Sequence, residues 1–199
     1  SAGGGSQIRT DAPVAISKLQ PRTLHETKAV SLDQALNKVN GLYMVNLGNE
    51  QHSMSIRQPL SLKSLFLYLE DGIPLRPTGI YNHNALIEIN MAALQSIEVI
   101  RGPASSVYGS EAIGGSINFI SQNASSEPNA RVAVQGDNLG YKRVDFEGSH
   151  TMGKTGVFAG GYYANRTDGY REHSDFHKLA FTLRANHKLG ERDQINAHL

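Results

Sequence analysis

The stretch "IEVIRGPASSVYGSEAIGGSINFIS", Ile97–Ser121, joins two strand-like runs through a loop that contains four glycines. A dinucleotide-binding loop requires G-x-G-x-x-G between a strand and a helix, and a P-loop requires Lys and then Ser or Thr after its last glycine. Neither pattern is present, because Gly114 and Gly115 are followed by Ser-Ile-Asn-Phe-Ile, which alternates as a strand does. The stretch predicts a strand, a short helical turn at Pro103–Tyr108, a glycine loop and a second strand, rather than a phosphate site.

The composition excludes several classes of protein. The 199 residues carry a net charge of +1, which gives no bulk electrostatic reason to bind nucleic acid. There is no cysteine, so a disulfide framework and a thiolate metal site are excluded. No apolar run approaches the ~20 residues of a membrane helix, whereas the alternating strands of a membrane barrel remain compatible with this sequence. Residues 1–11, which begin Ser-Ala-Gly-Gly-Gly-Ser, are expected to form a flexible leader.

Residues 12–122 mix helical and strand patterns, which predicts a small α+β domain. The clearest helix lies in "SLDQALNKVNG", where Ser31 and Gln34 fit a capping box and Gly41 fits a C-terminal stop. Short strands are predicted at residues 12–17, 42–45, 54–57, 65–70 and 96–101, a turn at 71–74 and a short helical piece at 91–95.

From Arg131 onward the pattern changes to alternation of apolar and polar residues, as in antiparallel strands. The apolar set comprises Val132, Val134, Val144, Phe146, Leu179, Phe181, Leu183, Ala185, Ile195, Ala197 and Leu199. The connection at Arg166–Ser174 is long and polar, and the others are short, which is the asymmetry of outer-membrane barrels. A soluble β-sandwich also alternates, and alternation alone favours it, so a soluble two-domain binding protein is the alternative prediction.

Several motifs of the first half, taken together and in order, closely resemble the plug domain of TonB-dependent outer-membrane transporters. They are Ser55-Ile56-Arg57, Asp71-Gly72-Ile73-Pro74-Leu75, Ile97-Glu98-Val99-Ile100-Arg101-Gly102-Pro103 and the run from Tyr108-Gly109 to Asn118. The resemblance covers residues 12 to 122, and the later strands stand where the family's barrel begins. One residue departs from the pattern, since Gln58 follows Arg57 where the family usually has glycine.

The resemblance implies a plug domain at residues 12–122 and the first strands of a transmembrane β-barrel at residues 123–199. The family's barrel has about 22 strands. Residues 131–199 supply four strands and the start of a fifth, so we expect the chain to be an N-terminal fragment of the receptor. In this interpretation the glycines let the plug backbone turn tightly and pack where side chains would not fit.

The function implied is active uptake of a scarce solute across the bacterial outer membrane, without enzymatic chemistry and without a cofactor. The expected partners are TonB of the inner-membrane energy-coupling complex, the outer-membrane lipid and the solute, with no nucleic acid. A ferric siderophore or similar metal chelate is the commonest substrate class of the family, while haem, cobalamin and oligosaccharide stay open. No stretch of residues 1–11 is recognisable as the family's TonB-binding segment, so its position also stays open.

Two arginines match a functional feature of the family. Arg57 and Arg101 match arginines that lie between plug and barrel and pair with barrel glutamates. A guanidinium suits this role because it binds carboxylates through two hydrogen bonds and stays charged when partly buried.

Loops at the outer end of the plug are expected to form the floor of the substrate site, because they offer donors, an aromatic ring and imidazoles for a large polar ligand. The candidates are Gln51, His52, Arg76, Tyr81, Asn82 and His83. The eight histidines show no ligand spacing such as H-x-x-x-H, so no metal site is predicted. No Ser/His/Asp set or carboxylate pair stands out as catalytic.

Overall fold

The computed structural model describes residues 14–48, 51–60, 66–75, 82–109, 111–167, 169, 172–190 and 193–199. The chain divides into two compact units. The first comprises Ser1–Ile89 and Gln95–Ser121, and the second comprises Asn90–Leu94 and Gln122–Leu199. The short segment Asn90–Leu94 therefore belongs by its contacts to the second unit.

The first unit combines short helices with a mixed sheet, which confirms the α+β fold predicted for this half. The sheet order is β1-β6-β7-β4-β5, with β4 parallel to β7, and β2 and β3 form a separate antiparallel pair. In chain order to Ser121 the elements are β1 (Ala15–Leu19), α1 (Pro21–Thr27), α2 (Leu32–Leu36), β2 (Leu42–Gly48), β3 (Gln51–Ile56), β4 (Phe66–Glu70), β5 (Ile73–Pro74), two 3-10 helices (Asn82–Glu88 and Met91–Ala93), β6 (Leu94–Arg101), α3 (Ser105–Tyr108) and β7 (Gly115–Ser121).

Strand β4 lies in the core of the first unit. Its sequence "FLYLE" is apolar at four successive positions because both of its faces are buried. Leu67 and Leu69 pack with Ile100 and with two alanines of the glycine loop, Ala104 and Ala112. The other face of β4 carries Tyr68, whose ring contacts those of Phe66 and Phe119. Two alanines of the glycine loop are thus part of the core.

The Asp71-Gly72 turn is fastened to strand β7 by three hydrogen bonds. The N–H of Gly72 donates to Asn118 Oδ1 at 2.9 Å, and the N–H of Asp71 donates to Phe119 O at 2.9 Å. The Asp71 carboxylate accepts from the N–H of Ser121 at 2.9 Å. Asp71 and Gly72 have φ values of 50° and 85°, a conformation that favours Asp-Gly sequences. Two motifs far apart in the sequence therefore meet in one structural feature.

The glycine loop brings the ends of β6 and β7 close together. Its strands are linked by hydrogen bonds from Gly102 N to Gly114 O at 3.0 Å and from Ala104 N to Ala112 O at 2.8 Å. At Gly115, which has φ 155°, a Cβ atom would lie 2.3 Å from the carbonyl oxygen of Ile100. Only glycine allows this approach. The loop is shaped by backbone packing, as the resemblance implied.

The predicted capping box at Ser31 is wrong in detail. The Ser31 hydroxyl donates to the carboxylate of Asp33 instead of accepting from the backbone of α2. The Gln34 side chain accepts from the N–H of Val30 at 2.9 Å, one residue before the expected position. A competing acceptor two residues away explains the difference, since short polar side chains readily bond locally. Helix α2 is also shorter than predicted and ends at Leu36.

The second unit is an antiparallel meander in which each strand pairs with the next along the chain, in the order β8-β9-β10-β11-β12. Its strands are β8 (Asn129–Gly136), β9 (Tyr141–Met152), β10 (Thr155–Arg166), β11 (Phe176–Lys188) and β12 (Gln194–His198). The N–H of Thr167 donates to Gly140 O at 3.4 Å, so the first connection and the long third one lie at the same end of the sheet.

The register places the predicted apolar set on one face of the meander, which we name the apolar face. Val134, Val144, Tyr163 and Leu179 are directly opposite one another across four strands, and Val132, Phe146, Gly161 and Phe181 form the next row. Most of these side chains are exposed, with Val134 at 80% and Leu179 at 72%. The opposite face, the polar face, carries the charged residues together with buried Phe158 and Tyr162 of β10.

The exposed apolar face contradicts the alternative of a soluble sandwich. In a sandwich two sheets pack face to face and bury their apolar residues between them. The strands described after residue 123 form one layer, and its apolar residues are the exposed ones. This is the arrangement of a sheet whose apolar side faces lipid.

The close approach at Gly115 gives a direct test of the backbone packing between β6 and β7 in the first unit. We expect Gly115→Ala to destabilise the protein by about 3 kcal/mol or more, because the new methyl group collides with a backbone carbonyl that cannot move freely. Gly102→Ala is the control, since Gly102 has φ 130° but a Cβ atom there would have nothing within 4 Å. It should cost about 1–2 kcal/mol from backbone strain alone. Urea unfolding measures both, and equal losses would contradict the packing account.

Candidate functional site

Arg57 and Arg101 come together at Gly41 in the first unit. Arg57 follows the last residue of β3, and its N–H donates to Gly41 O at 2.9 Å. Arg101 is the last residue of β6, and its Nη1 donates to Asn40 O at 2.6 Å. A Cβ atom at Gly41 would lie 3.3 Å from Arg57 Cγ and 3.8 Å from Arg101 Cδ. The two predicted arginines therefore share one site.

The backbone at this site is in a conformation that residues with a side chain rarely adopt. Arg57 has φ 53°, in the left-handed region, and Gly41 has φ 81°. The family pattern has glycine at the position of Gln58, but here Arg57 itself makes the left-handed turn. A bulky residue held in this region often marks a functional position.

The positive charges of Arg57 and Arg101 would be stabilised by an acidic partner. Among the described residues, neither arginine forms an ion pair with a carboxylate. Arg57 is exposed, whereas Arg101 is half-buried and its Nε atom has no hydrogen-bond partner in the described part of the chain. Two neighbouring guanidinium groups repel each other, and an opposing carboxylate would relieve that repulsion.

The residues predicted to form the floor of the substrate site differ in burial and in position along the fold. Gln51 is exposed at the start of β3, but His52 is buried, with its ring edge against Tyr68 at 5.7 Å between centroids. This position favours a packing role for His52. Asn82 and His83 begin a 3-10 helix. Arg76 and Tyr81 lie outside the described residues. The ligand-binding role of this set stays a prediction.

Sequence reasoning did not identify a cation–aromatic cluster on the polar face of the second unit. The Arg143 guanidinium is buried, and its Nε atom donates to both carboxylate oxygens of Asp145, at 2.9 and 3.0 Å. It also lies over the ring of Tyr162, 3.9 Å from the centroid, and the Lys178 ammonium lies 5.9 Å from the same centroid. The alternation of apolar and polar residues predicted which face carries the charges, but it did not indicate which residues of neighbouring strands contact one another there.

A second part of this cluster lies at the end of the sheet that carries the long connection. Arg166 Nη2 donates to Asp137 Oδ2 at 3.3 Å, and its guanidinium lies 5.4 Å from the ring centroid of Tyr141 and 6.0 Å from that of Phe176. Desolvation raises the pKa of Asp137, but backbone hydrogen bonds from Tyr141 and Leu139, together with Arg166, outweigh it and lower the pKa below its usual value. The carboxylate is thus held in its charged form in the turn.

The described residues offer neither a metal site nor a helix that spans a membrane. Within that part of the chain, no group of three or more His, Asp or Glu side chains is placed to hold a metal ion. None of the described helices is long and apolar enough to cross a membrane.

Comparison with known proteins gives consistent matches. Residues 9–116 match the family model of the TonB-dependent receptor plug domain. The vitamin B12 transporter BtuB of Vibrio vulnificus (strain CMCP6) is 29% identical over 157 residues, which cover 76% of this chain and 25% of that protein. The chain thus spans about a quarter of the length of this relative.

Solved structures share the fold at low sequence identity. The pyoverdine outer-membrane receptor FpvA of Pseudomonas aeruginosa PAO1, bound to pyoverdine, has a TM-score of 0.81 and 15% identity, covering 96% of this chain and 27% of that one. The ferric preacinetobactin receptor BauA of Acinetobacter baumannii has a TM-score of 0.81 and 18% identity, covering 98% of this chain and 29% of that one.

These matches confirm the predicted order of a plug domain followed by antiparallel strands like those of receptor barrels. They also confirm the expected location in the bacterial outer membrane and the expectation of a receptor rather than an enzyme. With the motifs, the mixed sheet and the meander in agreement, the chain belongs to the family of TonB-dependent outer-membrane receptors.

Proposed function

We propose that the receptor containing this chain binds a ferric siderophore or similar metal chelate and imports it across the outer membrane with energy delivered through TonB. The observation that carries the substrate class is the cation–aromatic cluster on the polar face. Its half-buried members, Arg166, Phe176 and Lys178, are those within reach of a ligand. Arg143, Tyr141 and Tyr162 are buried beside them at the same end of the sheet. Cations beside aromatic rings suit an anionic, ring-containing chelate, since both charge and stacking contribute to binding.

The named relatives support a chelate but do not agree on one. Two structures with the same fold are receptors for pyoverdine and for ferric preacinetobactin. The relative BtuB is a vitamin B12 transporter, so cobalamin is the competing substrate.

The charge of the cluster separates these two substrate classes. Its cations are Arg143, Arg166 and Lys178, and its carboxylates are those of Asp145, which pairs with Arg143, and Asp137, which pairs with Arg166. Among the described residues, both carboxylates of the cluster are thus paired with arginines. Cations beside aromatic rings favour an anionic ligand over a neutral one.

We further propose that Arg57 and Arg101 pair with carboxylates of the barrel wall and hold the plug closed. Support comes from their convergence at Gly41 and from the absence of an acidic partner among the described residues. Gln51, Asn82 and His83 remain proposed contacts of the substrate from the plug side. In this scheme TonB pulls on the plug, the arginine–carboxylate pairs break, and the bound solute enters.

The substrate proposal predicts iron uptake that requires TonB. Cells that carry the full-length receptor as their single route should accumulate radioactive iron from a ferric siderophore, and deletion of TonB should abolish this uptake. Lys178→Ala should weaken chelate binding about tenfold, which is the effect of losing one charge-assisted contact of about 1.4 kcal/mol. Lys142→Ala is the matched control, because Lys142 precedes Arg143 on β9 and lies on the opposite face.

Two results would contradict this proposal separately. Uptake of cobalamin without uptake of iron would remove the ferric chelate as substrate. Iron uptake that persists without TonB would remove the energy-coupling step.

The proposed pairing of plug arginines with barrel carboxylates predicts that the channel conducts ions when a pair is broken. In the full-length receptor, Arg101→Ala should raise non-specific permeability, because breaking a partly buried pair leaves a carboxylate unpaired at a cost of up to about 3 kcal/mol. Arg22→Ala is the control, since Arg22 is highly exposed and forms a surface pair with Glu26 one helical turn away. Single-channel recordings measure the leak. Arg101→Ala channels that stay closed, together with unchanged uptake, would contradict the proposed contact.

A further inference from the structure

The segment Asn90–Leu94 belongs by its contacts to the second unit. The chain before it, up to Ile89, and the chain after it, from Gln95 to Ser121, belong to the first unit. Two of its hydrogen bonds to the strands come from one side chain. Asn90 is 5% exposed, and its amide Nδ2 donates both to Gly160 O of β10 at 3.1 Å and to Thr182 Oγ1 of β11 at 3.0 Å. Its Oδ1 atom accepts from the N–H of Ala92 at 3.1 Å.

Gln122 extends this attachment from the other side. Its N–H donates to Ala93 O at 2.8 Å, its Nε2 donates to Glu147 at 3.2 Å, and its carbonyl accepts from Arg184 at 3.3 Å. Glu147 and Arg184 lie on β9 and β11, which flank β10. Gln122 therefore connects the segment to β9 and β11, whereas Asn90 bonds β10 and β11.

These bonds satisfy polar groups that are costly to bury without partners. The Asn90 amide uses both of its N–H groups and its oxygen. Replacement of the amide by an apolar group would leave the buried hydroxyl of Thr182 with one partner fewer, which destabilises the attached state relative to a detached one in which water can bond the hydroxyl. Release of the segment breaks the Asn90 bonds to the strands and, where Gln122 stays on β9 and β11, also the bond from Gln122 N–H to Ala93 O.

We propose that Asn90–Leu94 and Gln122 form a fixed anchor, a part of the plug sequence that stays on the polar face of β9–β11 when the first unit loosens. Asn90 and Gln122 act as positioning residues. The role of this anchor in transport rests on the proposed function, because there the anchor limits how far the plug can be displaced by TonB. Its existence as a separate unit of stability does not depend on transport.

Hydrogen exchange on the full-length receptor in detergent tests the anchor without any substrate. The reporters are the backbone amides of Ala92, Ala93 and Gln122, which are all bonded within the anchor. In urea below the unfolding midpoint, exchange in the β2–β3 hairpin of the first unit should accelerate first. Anchor amides should stay protected. Exchange of both sets at one common rate in the unsubstituted receptor would overturn the proposal.

Two variants and one matched control sharpen the test. Asn90→Leu should accelerate exchange of the anchor amides at least about tenfold, and Thr182→Val, which removes one acceptor at nearly constant volume, should have a smaller effect in the same direction. Asn118→Ala is the control, because Asn118 is also a buried amide but bonds Gly72 within the first unit. It should accelerate exchange of the Gly72 amide and leave the anchor amides unchanged. Unchanged anchor exchange in Asn90→Leu would overturn the role of Asn90.

Hydrogen exchange at the same amides tests the anchor and the proposed function separately. When TonB and substrate are added, the hairpin should exchange faster while the anchor stays protected. Anchor amides that open together with the hairpin under these conditions would overturn the anchor. A hairpin that does not respond would contradict a loosening of the plug by bound TonB, while the urea experiment still decides the anchor.

Discussion

The absence of a side chain at Gly115 is the constraint on which the first unit depends. A Cβ atom there would lie 2.3 Å from Ile100 O, so β7 can begin beside the end of β6 only because this residue is glycine. Two consequences follow along the chain. Arg101, the residue after Ile100, is positioned to bond Asn40 O, and β7 runs on to place Asn118 against the Asp-Gly turn. A contact between two backbones thus aligns both the arginine site and the turn.

The second unit is organised by a contrast between two faces of one sheet. On the apolar face the rings of Phe146 and Phe181 stack at 6.3 Å across Gly161, where a Cβ atom would lie 2.9 Å from Phe146 Cζ. On the polar face, charged groups are paired and buried rings lie beneath them. An apolar surface this continuous is unfavourable in water and favourable against lipid hydrocarbon.

Local patterns predicted the features that depend on local chemistry. The Asp-Gly turn, the alternating strands and the strand-loop-strand around the glycines all follow from residue types at short range. Helix α1 (Pro21–Thr27) was missed because it buries no residue and so shows no amphipathic stripe. The cap at Ser31 was wrong because Asp33 competes for the hydroxyl. Both errors lie where the local sequence offers no single dominant interaction.

Long-range polar contacts could not be predicted from one sequence. Arg143 and Tyr162 are on different strands, and Asn90 is 92 residues from Thr182. Nothing in the spacing of these residues indicates that they meet, because the register is fixed by the whole meander. The arginine pair was identified by motif, whereas its convergence at Gly41 came only from the structure.

The most direct test of the account is whether the two faces of the meander meet different environments in the assembled receptor. Spin labels at Val134 and Leu179 report on the apolar face, and labels at their neighbours Gln135 and Lys178 report on the polar face. In lipid bilayers, the first pair should be more accessible to oxygen, and the second pair more accessible to a water-soluble nickel complex. High nickel accessibility at Val134 and Leu179 would contradict a lipid-facing sheet and with it the receptor architecture proposed for this chain.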